Sequence, residues 1–265
     1  MARFAKQAND AAKALSTTTN EYAEASLIYF QQGDNMEAVE EKAAITVKMA
    51  QVTGQGMETV SDQMTAVWNN FYDGSQSLEH YADAMARLGA ITASSSDEIA
   101  QGLEKFAAVA DMIGLGFDEA AAALTTVTAN TRQSADVVGT AFKTIFARIQ
   151  GLNLGETLED GTTLNKYSEA LNKVGINIKD TSGQMKDMNI ILNEMGEKWN
   201  TLSQDQQVAL AQTVAGVRQY GQLVSLMENF DDYQANLTEA QSADGELAAQ
   251  SAIYAEGWEA ARDRV

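Results

Sequence analysis

Apolar side chains recur along this chain at three- and four-residue intervals, the spacing that gathers them on one stripe of a helix. Val60, Met64, Val67 and Phe71 form one stripe, and Leu78, Tyr81, Met85 and Leu88 a second. Leu103, Phe106, Ala110 and Ile113 repeat the rhythm, as do Val138, Phe142, Ile145 and Ile149. Side chains able to accept the first free backbone N–H groups mark where helices begin. Thr18 with Glu21, Ser95 with Glu98 and Ser203 with Gln206 stand at capping-box spacing, and Ser134 is followed by Asp136 in a positive first turn. Glycines such as Gly33, Gly54, Gly74, Gly89 and Gly151 fall between the periodic segments, where a left-handed residue ends a helix at little steric cost.

The pattern predicts helices over roughly 2–31, 35–53, 57–72, 76–89, 96–113, 118–130 and 135–150. The stretch from Gly151 to Gly161 carries three glycines and is expected to be a long loop and a subdomain boundary. Leu164 to Val174 is again helical in pattern. Gly175 to Gly183 alternates briefly and then turns, which suits a short strand or an extended corner. Helices are expected to resume near 186–200, 204–228 and 230–264, the second of these weakened at Gly216 and Gly221 by about 1 kcal/mol each. The expected fold is all-α: a multi-helix array of antiparallel amphipathic helices and helical hairpins, with at most a short extended segment near 175–183. Its expected parts are N-terminal long helices (1–55), an alanine-rich helical core (56–150), the Gly-rich loop (151–163) and a C-terminal helical subdomain (164–265).

Composition sharpens this picture. The 265 residues include no proline and no cysteine, whereas average usage would supply about 13 prolines. Disulfide-stapled frameworks and cysteine-ligated metal sites are thereby excluded. Eighteen basic against 37 acidic residues give a net charge of −19, which repels nucleic-acid phosphates and anionic lipid, so no direct nucleic-acid binding is expected. The longest uncharged runs, Ala120 to Thr131 and Gln206 to Val217, are 12 residues each, against the 20 or so that a membrane-spanning helix needs. The N-terminus lacks the apolar core of a signal peptide.

Catalytic constellations are missing from the pattern. Gly114-Leu-Gly116-Phe-Asp-Glu119 has two of the glycines of a dinucleotide fingerprint, but a helix precedes it and an acid stands where the third glycine belongs, so it reads as an elbow between helices. His80 is the chain's one histidine and has no second imidazole or thiol to work with. The acid pairs Asp231–Asp232 and Glu156 with Glu159 and Asp160 lack the spacing of a calcium loop and read as solvated acidic faces. Neither a Gly-x-Ser-x-Gly elbow nor a phosphate-binding loop occurs. The expectation is a protein without catalytic activity, cofactor or metal. Trp68, Phe71, Phe106, Phe142, Phe146, Trp199 and Tyr220 are the candidate helix-packing or partner contacts, with the core the simpler destination for side chains at this spacing. Gly114, Gly116, Gly216 and Gly221 are the candidate hinges.

Two stretches, Gly102 to Gly151 and Val174 to Tyr233, carry more than periodicity. An alanine-rich helical pair leads through Thr131-Arg-Gln-Ser134 to a helix ending in Ile145-Phe-Ala-Arg148. A corner with Gly175, Ile176, Asp180 and Gly183 follows, then Trp199-x-x-Leu-Ser203 and Ala215-Gly-x-Arg218. This succession resembles the central domain of the phage tail tape measure proteins, the phage-related minor tail protein family, over residues 15 to 265. Members of that family are usually far longer, and both ends of this chain fall inside helical pattern, so an excised region of a longer chain is expected.

The resemblance implies a virion component that occupies the lumen of the tail tube, sets tail length during assembly in the host cytoplasm and leaves ahead of the DNA at ejection. The partners it implies are the tail tube protein, tail assembly chaperones, other tape measure copies and, at ejection, the host membrane. An alternative function is a membrane-active or channel-forming helical module built on the Gly114 elbow and the alanine-rich helices beside it. A peptidoglycan-cleaving domain is appended in some relatives, but its motifs do not occur here. Fully extended as one helix, the chain would reach about 400 Å at 1.5 Å per residue. The frequent glycines suggest instead a compact or convertible helical module.

Overall fold

A computed structural model describes residues 2–149 and 163–257, and every regular element among them is a helix. The chain divides into two compact units, one of residues up to 100 together with those from 239 onward, the other of residues 101–238. In the first unit lie α1 (Ala2–Ala14), α2 (Thr19–Gln31), α3 (Met36–Thr53), α4 (Met57–Phe71) and α5 (Leu78–Ile91). Helix α6 (Ser96–Met112) carries the chain into the second unit, which holds α7 (Phe117–Thr131), α8 (Ala135–Ile149), α9 (Thr163–Lys173), α10 (Met188–Trp199), α11 (Gln204–Ala215) and α12 (Tyr220–Glu228). Helix α13 (Phe230–Gln241) leads back to the first unit, where α14 (Glu246–Glu256) ends the described chain.

The four apolar stripes become the cores of the two units. Val60, Met64 and Val67 of α4 are fully buried, as are Tyr81, Met85 and Leu88 of α5. In the second unit Leu103, Phe106 and Ala110 of α6 and Val138, Phe142, Ile145 and Ile149 of α8 are buried likewise. Burying a side chain of this size stabilises the fold by about 1.5–3 kcal/mol relative to exposure, which is why the stripe, rather than local propensity, decides where each helix lies. Phe71 ends its stripe at the rim of the core, half-buried. In the first unit α2 packs on α1, α3 and α4, and α3 on α4, α5 and α14. In the second, α8 packs on α7, α9, α11 and α12.

The expected caps form. The Thr18 hydroxyl accepts the Glu21 N–H at 3.2 Å while the Glu21 carboxylate accepts the Thr18 N–H at 3.0 Å. Ser95 with Glu98 and Ser203 with Gln206 make the same reciprocal pair. Each pair satisfies two backbone donors that the helix itself leaves free.

Three expected helices are each two. The segment 2–31 breaks at Ser16, which takes a left-handed φ of 56° without being glycine. There the Thr17 N–H reaches back to the Ala12 carbonyl at 2.9 Å, and Gln51 Nε2 donates to the Leu15 carbonyl at 2.6 Å. The capping box at Thr18 therefore starts a second helix, and a serine turn with a long-range amide bond ends the first where no break was expected. The segment 204–228 breaks at Gly216, and 230–264 breaks around Gly245, which has a φ of +84°. Arg132 is a second non-glycine residue in the left-handed region, closing α7 with its N–H on the Thr128 carbonyl.

The 175–183 corner contains no strand. A single antiparallel bridge joins Lys179 and Met185, and the Asp180 carboxylate gathers the Ser182 and Gln184 N–H groups at 2.8 and 2.9 Å. The Lys198 ammonium donates to the Gly175 carbonyl and ties the corner to the end of α10. Of the expected Gly-rich loop, residues 151–162 lie outside the described residues, and Thr163 opens α9.

Candidate functional site

The aromatic candidates separate into packed clusters and exposed rings. Phe106, Phe142 and Phe146 come together between α6 and α8: Phe142 and Phe146 stack at 5.1 Å between ring centroids, and Phe106 meets Phe142 edge-on at 5.7 Å. Trp68 is buried in the first unit, tilted against Tyr29 at 5.9 Å, with its indole N–H donating to the Leu78 carbonyl at 3.0 Å. The Lys42 ammonium lies over both rings. Phe71 offers its carbonyl to the Tyr81 hydroxyl at 3.0 Å. Trp199 is buried at the end of α10, whereas Tyr220 at the start of α12 remains 38 % exposed. Trp68, Phe106, Phe142, Phe146 and Trp199 thus lie in cores, and Tyr220 is the candidate that faces solvent.

The four candidate hinge glycines occupy different settings. Gly114 has a φ of +67°, and a Cβ there would lie 2.6 Å from an Asp187 carboxylate oxygen at the start of α10. The Ile113 carbonyl beside it accepts the Met188 N–H at 3.0 Å, so the elbow between α6 and α7 is fastened to α10 through the backbone. Gly116 is the N-cap of α7, and the Glu119 carboxylate folds back over it. Gly216 has a φ of +78° and is covered by the Arg148 guanidinium, which donates to the Ala215 carbonyl at 2.6 Å. Gly221 sits in the first turn of α12 with no atom within 4 Å of its Cβ position.

The Arg148 contact gives two short motifs a physical reason. The arginine that ends Ile145-Phe-Ala-Arg148 caps the C-terminus of α11 at Ala215-Gly-x-Arg218, where the helix dipole places partial negative charge on free carbonyls. Gly216 suits this place because its φ of +78° would strain any other residue, and a Cβ there would also press on the guanidinium. The remaining motifs also serve packing: Gln207 Nε2 caps the Trp199 carbonyl at 2.8 Å, and Gln133 of the Thr131-to-Ser134 turn accepts from Gln222 Nε2 at 2.7 Å. Sequence spacing had no means of pairing Arg148 with Ala215, which lies 67 positions on.

Gly139 and Gly196 were not among the candidates, yet both stand against another helix with no room for a side chain. A Cβ on Gly139 would run into the backbone carbonyl of Gly102, and one on Gly196 into the Phe230 ring. The available signal was a glycine inside a strongly helical pattern, which costs about 1 kcal/mol and so calls for a packing reason.

The titratable groups follow the burial. Desolvation pushes the Asp83 carboxyl above the usual carboxylate range, against two backbone N–H bonds that pull it down. Glu119 is raised for the same first reason, with Asp118 adding to it. The Tyr29 hydroxyl is pushed up to about 12, chiefly by burial. His80 is buried, with Nδ1 3.5 Å from Asp244 and Nε2 3.0 Å from the Gln76 amide. Among the described residues no group of three or more His, Asp or Glu side chains is placed to hold a metal ion, and no helix is long and apolar enough to cross a membrane. The acid pairs at 156–160 lie outside the described residues.

The chain is 22% identical over 218 residues to the probable tape measure protein of Escherichia phage P2, an alignment that covers 82% of this chain and 25% of that protein. The chain therefore spans about a quarter of the length of the curated relative it matches. No solved structure matches it. The model of the phage-related minor tail protein family matches residues 6–216, the region that holds both the capped helices and the Arg148–Ala215 contact, and the chain belongs to that family.

Proposed function

We propose that this chain is a segment of a tape measure protein: a structural part of the phage tail that occupies the tube lumen, helps to set tail length during assembly and leaves ahead of the DNA. The observation that carries the reading is the use of the family motifs. Arg148, Gly216, Trp199 and Gln133 are all engaged in helix caps and helix packing rather than turned toward a pocket of converging polar groups. The P2 relative, a probable tape measure protein, supports it. Under this reading the partners are the tube protein, assembly chaperones and other copies of the chain, and helix–helix contact is the means of recognition.

The test is an in-frame deletion of about 30 residues within this region of the phage gene. If the region is extended in the assembled tail, the tail shortens by about 45 Å, at 1.5 Å per residue of helix. Tails of unchanged length on infectious particles would overturn the length-setting role of this segment, leaving it a folded module of the tail.

A further inference from the structure

Residues 239–257 return to the first unit after the whole of the second has intervened, and the cap that seats their helix comes from another helix. Helix α14 has no cap of its own, since its N-cap residue is Gly245, which has no side chain to accept a hydrogen bond. The cap comes from α5. Asp83, 4 % exposed, accepts the Gly245 N–H at 3.0 Å and the Leu247 N–H at 2.8 Å. A carboxylate on free N–H groups at the positive end of a helix is the usual N-terminal arrangement, here supplied from 162 to 164 positions earlier in the chain.

Helix α14 packs on α3 and α5, and further polar contacts fasten it there. Gln250 Nε2 donates to the Ala86 carbonyl at 3.0 Å, and Ser251 Oγ to Gln51 Oε1 at 2.7 Å. The Arg87 guanidinium reaches Glu239 at 2.7 Å and Glu246 at 3.6 Å. Leu247 is the one large apolar side chain that the segment buries, with Ala240 and Ala243 beside it, while Ile253 stays 71 % exposed. An eleven-residue helix that loses its cap and its docking is marginal in water. Polar bonds of this kind exchange for water at small net cost, unlike the buried stripes of α4 and α5.

We infer that residues 239–257 are a clasp, a segment that detaches from α3 and α5 as one piece while the helices of residues 19–91 stay folded, with Asp83 as its lock. When the clasp is closed, residues 101–238 are joined to the first unit at both of their ends; when it is open, at one end only. A chain that must be drawn out lengthwise would part here without melting a core. That use rests on the tape measure reading, whereas the clasp rests on the attachment just described.

Amide hydrogen exchange followed by mass spectrometry on the intact chain tests the clasp. Asp83→Ala is expected to speed exchange across 245–256 by about 100-fold or more, the loss of two charge-assisted hydrogen bonds, and to leave α4 and α8 unchanged. Asp83→Asn, which keeps one acceptor oxygen, should fall between. Faster exchange throughout α3, α4 and α5 would make Asp83 an ordinary core residue and overturn the proposal, as would unchanged exchange at 245–256. Should Asp83→Ala not fold, Gln250→Ala with Ser251→Ala loosens the clasp from its own side. A rise confined to 245–256 supports the clasp and a rise that spreads into α5 rejects it. Neither outcome depends on tail length, so the clasp and the length-setting role fail separately.

Discussion

The two units of the chain solve the same problem, burying one stripe of each helix, by different means. In the first unit helices are joined across the core by side-chain hydrogen bonds. The Tyr29 hydroxyl meets Thr46 Oγ1 at 2.6 Å, Trp68 donates to Leu78, Tyr81 to Phe71, and Gln63 Nε2 reaches Asp97 at 3.1 Å. The second unit, besides side-chain bonds such as Arg148 to Ala215 and Gln222 to Gln133, relies on closeness. Ala120 to Ala123 of α7 are all fully buried, Gly102 lies against Leu124, Gly139 against the Gly102 carbonyl and Gly196 against Phe230. Bulk then enters as rings, with three phenylalanines filling the space between α6 and α8. The difference teaches where each unit is vulnerable. Removing one contact in the first costs about one hydrogen bond, whereas changing a volume in the second is felt by a close-packed interior with nowhere to relax.

The largest effect is expected in the second unit. Phe142→Ala empties the centre of the ring cluster and should destabilise the protein by about 3–5 kcal/mol, the range for buried phenylalanine truncations, measured by urea unfolding. A loss below about 1 kcal/mol would mean that the cluster collapses freely and that the contrast between the units is false.

Gly139→Ala is the next step and isolates closeness from bulk. Alanine is the better helix former by about 1 kcal/mol, so propensity alone predicts a gain. The added methyl meets a backbone carbonyl that cannot rotate away, and overpacking of this kind costs about 1–3 kcal/mol. A net loss is therefore expected. Gly221→Ala in the same unit, where nothing lies within 4 Å, should be neutral or stabilising by up to about 1 kcal/mol. If both substitutions shift the unfolding midpoint in the same direction, close approach is not what Gly139 supplies.

Much of this architecture is written locally. The stripes of α4, α5, α6 and α8 are visible as three- and four-residue spacing because each helix must bury one face, and the caps at Thr18, Ser95 and Ser203 are visible because both partners lie within one turn. The break at Ser16 was half legible: its capping box was present, but a left-handed serine carries no local mark, and the bond that stabilises it comes from Gln51. What stays out of reach is chemistry between distant positions. The Arg148 cap on Ala215 and the Asp83 cap on α14 follow from the packed arrangement, since an arginine on one helix and an alanine on another look ordinary until they meet. Phe106 and Phe142 of the packing cluster were legible as stripe residues, and Phe146 as a candidate packing contact. Gly139 was legible only as a helix former's absence.

The smallest expected effect belongs to the first unit and tests whether its hydrogen bonds act as pairs. Tyr29→Phe keeps the ring against Trp68 and removes the hydroxyl, which leaves Thr46 Oγ1, fully buried, without that partner. The cost should be about 1–2 kcal/mol, and adding Thr46→Val should restore most of it, because replacing both partners by apolar groups removes the unsatisfied atom. Alkaline titration supplies an independent reading. Burial pushes the folded hydroxyl up to about 12 from an ordinary 10, so its contribution is complete below pH 10 and is lost as pH rises through about 12. The wild-type chain should therefore lose stability faster than Tyr29→Phe across that window. Parallel profiles would show that Tyr29 ionises as freely folded as unfolded, and with that the burial of its hydroxyl in the core of the first unit would be gone.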